Sequence, residues 1–279
     1  MVGNILIGLV LSSAIGGLAY WRGSLTVSGW AGAVLTGTLT FGFGGWPWGL
    51  LLITFFVSST LLSRYKARVK EQRAGEKFDK GGKRDFAQAV ANGGIGALLA
   101  TIYGLMGEPA FVLAAFIGTM ATVTADTWAT ELGTLSTKPP RMITSGRVVE
   151  PGTSGGVTVL GTSATAVGAL LIGLAMFCFL LLEQVFSGQA LNPPWWVILA
   201  GLCGGVAGSL TDSLMGATVQ AMYRYPSGKE TEKRVGRDGT PNTFVRGWPW
   251  LNNDLVNLIS SLAGAAVAII IAALIGSLV

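Results

Sequence analysis

Asp126 and Glu131 stand in the string Ala125-Asp126-Thr127-Trp128-Ala129-Thr130-Glu131-Leu132-Gly133, at the end of a long apolar run. Ionisable groups in such a run are costly, so binding an ion or a charged substrate is their default reading. On a straight helix the two project about 140° apart. Asp126 shares a face with Thr130, and Thr127 shares one with Glu131. The plainer alternative is a pair of carboxylates solvated at a membrane surface or capping the next loop. A second acidic site lies in Gly208-Ser209-Leu210-Thr211-Asp212-Ser213, continuing to Gln220. Asp212, Gly216 and Gln220 recur at helical spacing, a polar face with a glycine gap that suits a cavity wall or a close helix contact. A structural hydrogen-bond network around one buried aspartate competes with that reading.

Three further segments could meet an anion. Lys138, Arg141 and Arg147 lead into Glu150-Pro151-Gly152-Thr153-Ser154-Gly155-Gly156, which opens another apolar run. Backbone N–H groups and hydroxyls at a helix start favour anions, and Lys and Arg add charge and bidentate donors. A simple N-cap by Thr153 or Ser154 is the structural alternative. Asn252-Asn253-Asp254-Leu255-Val256-Asn257 opens the last apolar run, with Asn253 and Asn257 on one face and Asp254 placed to cap. Arg84, Gln88 and Asn92 form a polar stripe entering the fourth run, and Arg84 and Asn92 are better functional candidates than the other cations before them.

These residues must be positioned by membrane helices. The chain has 279 residues, 51% hydrophobic and only 12% charged, about half the charge of a soluble domain. Its mean hydropathy is +0.58, which excludes intrinsic disorder. The 41 glycines have no collagen period and suit close packing of transmembrane helices. With no histidine, His-based acid–base chemistry, Ser-His-Asp triads and zinc-hydrolase sites are excluded. Cys178 and Cys203 lie in apolar runs and read as buried thiols. No Walker motif or dinucleotide fingerprint is present, and no strand is expected.

An all-α, polytopic helical bundle with glycine-rich packing is therefore expected, as one domain over residues 1–279. Spans of about 20 apolar residues fall near 3–20, 25–44, 47–63, 86–106, 109–132, 156–184, 195–222 and 253–278. The second is the weakest, ending in Gly44-Gly45-Trp46-Pro47, so the count is about eight or seven. The first lacks a basic leader and reads as a retained helix. All 19 Lys and Arg lie at position 22 or in loops near 64–85, 133–155 and 223–252. Two spans separate each loop from the next, so the three share one side, and the positive-inside rule makes it cytoplasmic. Ala125-Asp126-Thr127 and Thr211-Asp212-Ser213 faintly echo each other as two halves.

The 125–133 string, Pro139-Pro140-Arg141 with Pro151-Gly152-Thr153-Ser154-Gly155-Gly156-Val157-Thr158, the 212–220 stretch, and Asn253-Asp254 with Asn257 together resemble one integral-membrane family. It was long catalogued as a domain of unknown function and includes the phytyl-phosphate kinase of plants and cyanobacteria. The resemblance covers nearly the whole chain. It implies an isoprenoid (phytyl or related prenyl) monophosphate kinase that forms a prenyl diphosphate from a nucleoside triphosphate, with CTP favoured. Asp126, Glu131 and Asp212 would be catalytic and hold Mg²⁺. Lys138, Arg141 and Arg147, with Thr153, Ser154, Gly155 and Gly156, would grip the donor. Arg84, Asn92, Asn253 and Asp254 would orient the acceptor phosphate, and Ser213, Gln220 and Asn257 complete the expected site. Its partners would be the isoprenoid lipid phosphate and membrane lipids, with no nucleic acid. The membrane would be the plasma membrane, or the thylakoid if the source is a cyanobacterium. A looser similarity extends to CTP-dependent polyprenol and phytol kinases and membrane cytidylyltransferases.

Buried carboxylates, glycine-rich helices and the two-half echo also suit a transporter or flippase for a small anionic or lipid-phosphate substrate. Location separates the two. A kinase needs its carboxylates and Lys138–Arg147 converging on one cytoplasmic face, whereas a transporter needs Asp126 and Asp212 near the midplane with access from both sides.

Overall fold

The computed structural model describes residues 2–75, 83–236 and 239–275. Parts of the first and third basic loops (76–82, 237–238) and the end of the last expected span (276–279) lie outside the described residues. The helices are α1 (Val2–Trp21), α2 (Val27–Arg64), α3 (Ala67–Ala74), α4 (Phe86–Leu105), α5 (Ala110–Gly133), α6 (Val159–Ser187), α7 (Trp196–Thr218) and α8 (Asn253–Leu274). Seven of them are long and apolar enough to cross a membrane.

The second is too long for one crossing. Its 38 residues would span about 57 Å if straight, nearly twice a hydrocarbon core. It folds back at Gly45, whose φ of 79° and ψ of −175° leave the helix. Glycine reaches that φ without a Cβ penalty, and Pro47 sits where the new helix has no N–H to satisfy. The fold-back is visible at the far ends. Arg64 donates to Arg22 O at 2.8 Å and to Ser24 Oγ at 2.7 Å, beside the start of the same helix. Residues 27–44 and 46–64 are thus antiparallel arms, and the bundle has eight apolar segments.

This parity brings the basic loops to one end. Arg84 N donates to Ser24 O, and Thr26 N to Arg84 O. Arg73 donates to Thr134 O and Ser136 O in the second loop. Ser154 in turn donates to Gln220 beyond α7.

At the centre is α5, buried at every position from 112 to 125. A helix buried all round is apolar all round, and Asp126 stands where that burial ends. Trp48 stacks on Phe116 with centroids 4.0 Å apart. Small residues set the close approach of α5, α7 and α8. A Cβ on Gly208 would lie 2.1 Å from Thr122 Oγ1, and one on Gly204 would lie 2.7 Å from Gly264 O. Outward, Val10, Val159, Val167 and Ile270 present an exposed apolar belt. Cys178 belongs to that outer surface, not the interior, because α6 turns it outward, and Cys203 is only half-buried.

Contrary to expectation, the loops contain short strands: β1 (Arg141–Met142), β2 (Gly156–Val157), β3 (Met222–Arg224), β4 (Glu230–Thr231) and β5 (Thr243–Arg246). β1 pairs antiparallel with β2, and β3 lies between β4 and β5, both antiparallel to it. Long loops on a bundle must still pair their backbone groups, and strands this short carry no alternation for a sequence reading to detect. Caps differ as well. Asn252 caps α8 through Leu255 N at 3.0 Å, and Thr158 caps α6 through Gly161 N at 2.9 Å. Neither Asp254 nor the Thr153–Ser154 pair is used as the cap.

Candidate active site

A cavity of about 630 Å³ opens at the loop-bearing end of the bundle. α5 lends it Asp126, Thr127, Thr130 and Glu131, while α7 lends Ser209, Asp212 and Ser213. The two helices run parallel, with Gly118 near Gly204, Ala121 near Gly205 and Thr122 against Gly208. One helical turn further, that register brings Asp126 and Asp212 to the same cavity wall. Their charges lie within electrostatic reach of each other. Ser260 of α8 donates to Asp212 Oδ2 at 3.2 Å and orients it. Asp126 stands seven residues before the end of α5, about two turns below that end rather than at mid-bundle.

Glu131 lines the same cavity but is otherwise occupied. Lys70 of α3 forms an ion pair with it, and Ser63 donates to its Oε1 at 2.5 Å. α5 runs unbroken through both carboxylates, so they diverge around its axis as an ideal helix requires. Among the described residues no three His, Cys, Asp or Glu are grouped to hold a metal ion. Two facing carboxylates still suit Mg²⁺, which takes one or two from protein and fills its shell with phosphate oxygens and water.

The glycine loop forms another wall, with Thr153, Ser154, Gly155 and Gly156 all lining the cavity. Gly155 has a φ of +81°, and a Cβ there would sit 2.5 Å from Ala217. Only glycine fits a loop docked so closely on α7. Gln220 braces it, accepting from Ser154 Oγ at 2.9 Å and donating to Glu232 Oε1 at 3.0 Å. That amide is absent from the cavity lining, so Gln220 positions the loop and does not face the space the loop encloses.

Asn253, Asp254 and Asn257 line the cavity from the first turns of α8. Arg84 and Asn92, with Gln88, line it from the start of α4. Gln88 also completes a capping box with Asp85. Burial pushes the Arg84 pKa below the ordinary arginine value, opposed by the Glu131 charge. Its Nη1 is buried without a hydrogen-bond partner among the described residues.

Lys138, Arg141 and Arg147 do not join this group. All three are exposed and outside the lining, and Arg141 donates to Gly146 O across its own loop at 2.8 Å. Among the described residues the cations in the cavity are Lys70, Arg84 and Lys233, against the carboxylates of Glu71, Asp126, Glu131, Asp212, Glu232 and Asp254. Lys70 and Lys233 had no sequence signal, since the partner of Lys70 lies 61 residues away. A cavity with more carboxylates than cations repels a phosphate unless divalent cations accompany it.

The fold and cavity define a polytopic helical membrane protein with a polar, acid-rich site at one end. The chain belongs to the family described as integral membrane protein DUF92, whose model matches residues 10–265. It is 32% identical over 274 residues to Protein PGR of Arabidopsis thaliana, covering 93% of each chain. It is 33% identical over 242 residues to the uncharacterized membrane protein MJ0933 of Methanocaldococcus jannaschii, covering 86% of this chain and 82% of that one. It is also 31% identical over 250 residues to the chloroplastic Protein VTE6 of Arabidopsis thaliana, covering 88% of this chain and 65% of that one. No solved structure matches.

Proposed function

We propose that the protein is a membrane-embedded kinase that transfers a phosphoryl group from a nucleoside triphosphate, CTP being the favoured donor, to an isoprenoid monophosphate. The observation that carries this reading is the Asp126–Asp212 pair, lining one cavity with the glycine loop and Arg84. The motif resemblance to the phytyl-phosphate kinase family supports it. The placement of Asp126 and Asp212 near the loop-bearing end, not at mid-bundle, favours it over transport.

An oxygen of the acceptor monophosphate bonds to the γ-phosphorus as the bond to its bridging oxygen breaks, and the nucleoside diphosphate leaves with the electron pair. The acceptor is already anionic, so no side chain need remove a proton, and positioning and charge neutralisation dominate. A site without histidine is no handicap. Asp126 and Asp212 would hold Mg²⁺, which when bound neutralises phosphate charge. The Gly155–Gly156 backbone and the Thr153 and Ser154 hydroxyls would hold the donor phosphates, with Lys233 in place of the exposed Lys138, Arg141 and Arg147. Arg84 and Asn92 would take the acceptor phosphate, with Asn253, Asp254 and Asn257 on the facing wall. The loop-bearing end would face the cytoplasm, following its cations.

The test is incubation of purified protein with γ-labelled CTP or ATP, Mg²⁺, and phytyl or geranylgeranyl monophosphate. Label appearing in a lipid diphosphate is the expected result. Bound lipid monophosphate without transfer from either nucleotide overturns the reading.

A further inference from the structure

Arg84, Gln88 and Asn92 line two spaces at once. Beyond the polar cavity they also border a narrow groove between α1, the two arms of α2 and α4. The groove holds about 100 Å³, and its walls include Leu11, Ile15, Ala33, Ile53 and Phe56. Its hydroxyls are turned away into helix backbone, with Ser12 donating to Val34 O at 3.3 Å and Thr36 to Gly32 O at 2.9 Å. Leu11 is 40% exposed, so the groove opens sideways where lipid would lie. Along the first arm of α2 its lining runs from Ala33 to Phe41, about 12 Å at helical rise.

At its polar end Arg84 is fixed from several directions. Its backbone is tied to Ser24 and Thr26, and a Cβ on Gly29 would lie 2.0 Å from Arg84 O. Its guanidinium carbon lies 5.5 Å from the Phe55 ring and 5.6 Å from the Phe56 ring. Those rings hold the planar cation at the boundary between the two spaces. The buried Nη1 has no partner among the described residues, a donor that costs energy until an acceptor arrives. A charged donor at the junction of a polar chamber and an apolar slot matches a molecule with an anionic head and one thin apolar tail.

We propose that this groove holds the hydrocarbon chain of a single-chain lipid phosphate, whose phosphate sits on Arg84 at the rim of the polar cavity. The inference rests on the kinase reading only in naming that phosphate as the acceptor. It places the tail among α1, α2 and α4, away from the α5–α7–α8 junction. A groove of about 100 Å³ admits one chain and selects against two-chain lipids.

Binding of ethyl and phytyl monophosphate to detergent-purified protein, read by native mass spectrometry, tests this. Ile53→Trp and Ala33→Leu fill the groove from different walls, each with bulk that is large against its volume. Both are expected to weaken phytyl monophosphate binding about tenfold or more while leaving binding of ethyl monophosphate, which has the head without the tail, unchanged, which also reports an intact fold. Arg84→Gln is expected to weaken both ligands alike, because it acts on the shared head. Groove variants that bind phytyl monophosphate as the wild type does, or lose both ligands equally, overturn the proposal. Tail-selective binding with no diphosphate formed would overturn the kinase reading and leave the groove standing. Unaltered diphosphate formation in the filled variants would overturn the groove and leave the kinase.

Discussion

Asp126 and Asp212 occupy matching rungs of two parallel helices, one turn beyond the contact of Thr122 with Gly208. Nothing bulky separates α5 from α7 below that rung, so both carboxylates reach one wall of the cavity. Two carboxylates so placed either share a proton or bind a cation.

Metal binding should follow that pair. Mn²⁺, used as a spectroscopic stand-in for Mg²⁺, is expected to bind the purified protein with nucleotide present. Asp126→Asn and Asp212→Asn should each weaken it about tenfold or more, read by electron paramagnetic resonance titration. Glu131→Gln should change it little, since Lys70 and Ser63 already occupy that carboxylate.

The Lys70–Glu131 pair is expected to act as a strut between α3 and α5. Both side chains are largely shielded, at 11% and 21% exposure. Lys70→Met leaves a shielded carboxylate with Ser63 as its partner among the described residues, and should destabilise by roughly 1–3 kcal/mol. The double variant Lys70→Met/Glu131→Gln should recover part of that loss. Thermal melts of the single and double variants measure the coupling.

Close packing behind the site should be sensitive to one methyl group. A Cβ on Gly208 meets Thr122 and one on Gly155 meets the Ala217 backbone, the latter at a positive φ. Gly208→Ala is expected to cost about 1–3 kcal/mol and Gly155→Ala at least about 1 kcal/mol, seen as lowered melting temperatures in detergent. Gly146→Ala, with open space around its Cβ but the same sign of φ, separates backbone strain from steric contact.

The exposed cations should matter little. Lys138→Ala and Arg147→Ala are expected to keep kcat/KM within about twofold of wild type, since both lie outside the cavity. Lys233→Ala, which removes a lining cation, should raise the KM for nucleotide about tenfold or more. Steady-state kinetics with varied nucleotide distinguish the three.

Much of the helical architecture was legible because membrane spans are written in composition. Even the weakest boundary, Gly44-Gly45-Trp46-Pro47, marks the place where α2 folds back. Asp126 and Asp212 were legible for the same reason, as carboxylates stranded in apolar sequence. The partnership of Lys70 with Glu131 was not, because it depends on how α3 lies across the end of the bundle. Lys138, Arg141 and Arg147 are close to the glycine loop in sequence, yet that loop lines the cavity with its glycines while its cations are exposed outside the lining, a placement that depends on the β1–β2 pairing. Asp254 read as a cap because the sequence offers three candidates in a row, and only the backbone selects Asn252.

Phosphoryl transfer by the Asp126–Asp212 site is tested most directly by following γ-labelled nucleotide into lipid diphosphate across a Mg²⁺ titration, for wild type and for Asp126→Asn and Asp212→Asn side by side. Mg²⁺-dependent labelling by wild type, with each variant folded but about 10²–10³-fold slower, is the expected result. Full turnover in either aspartate variant would contradict it.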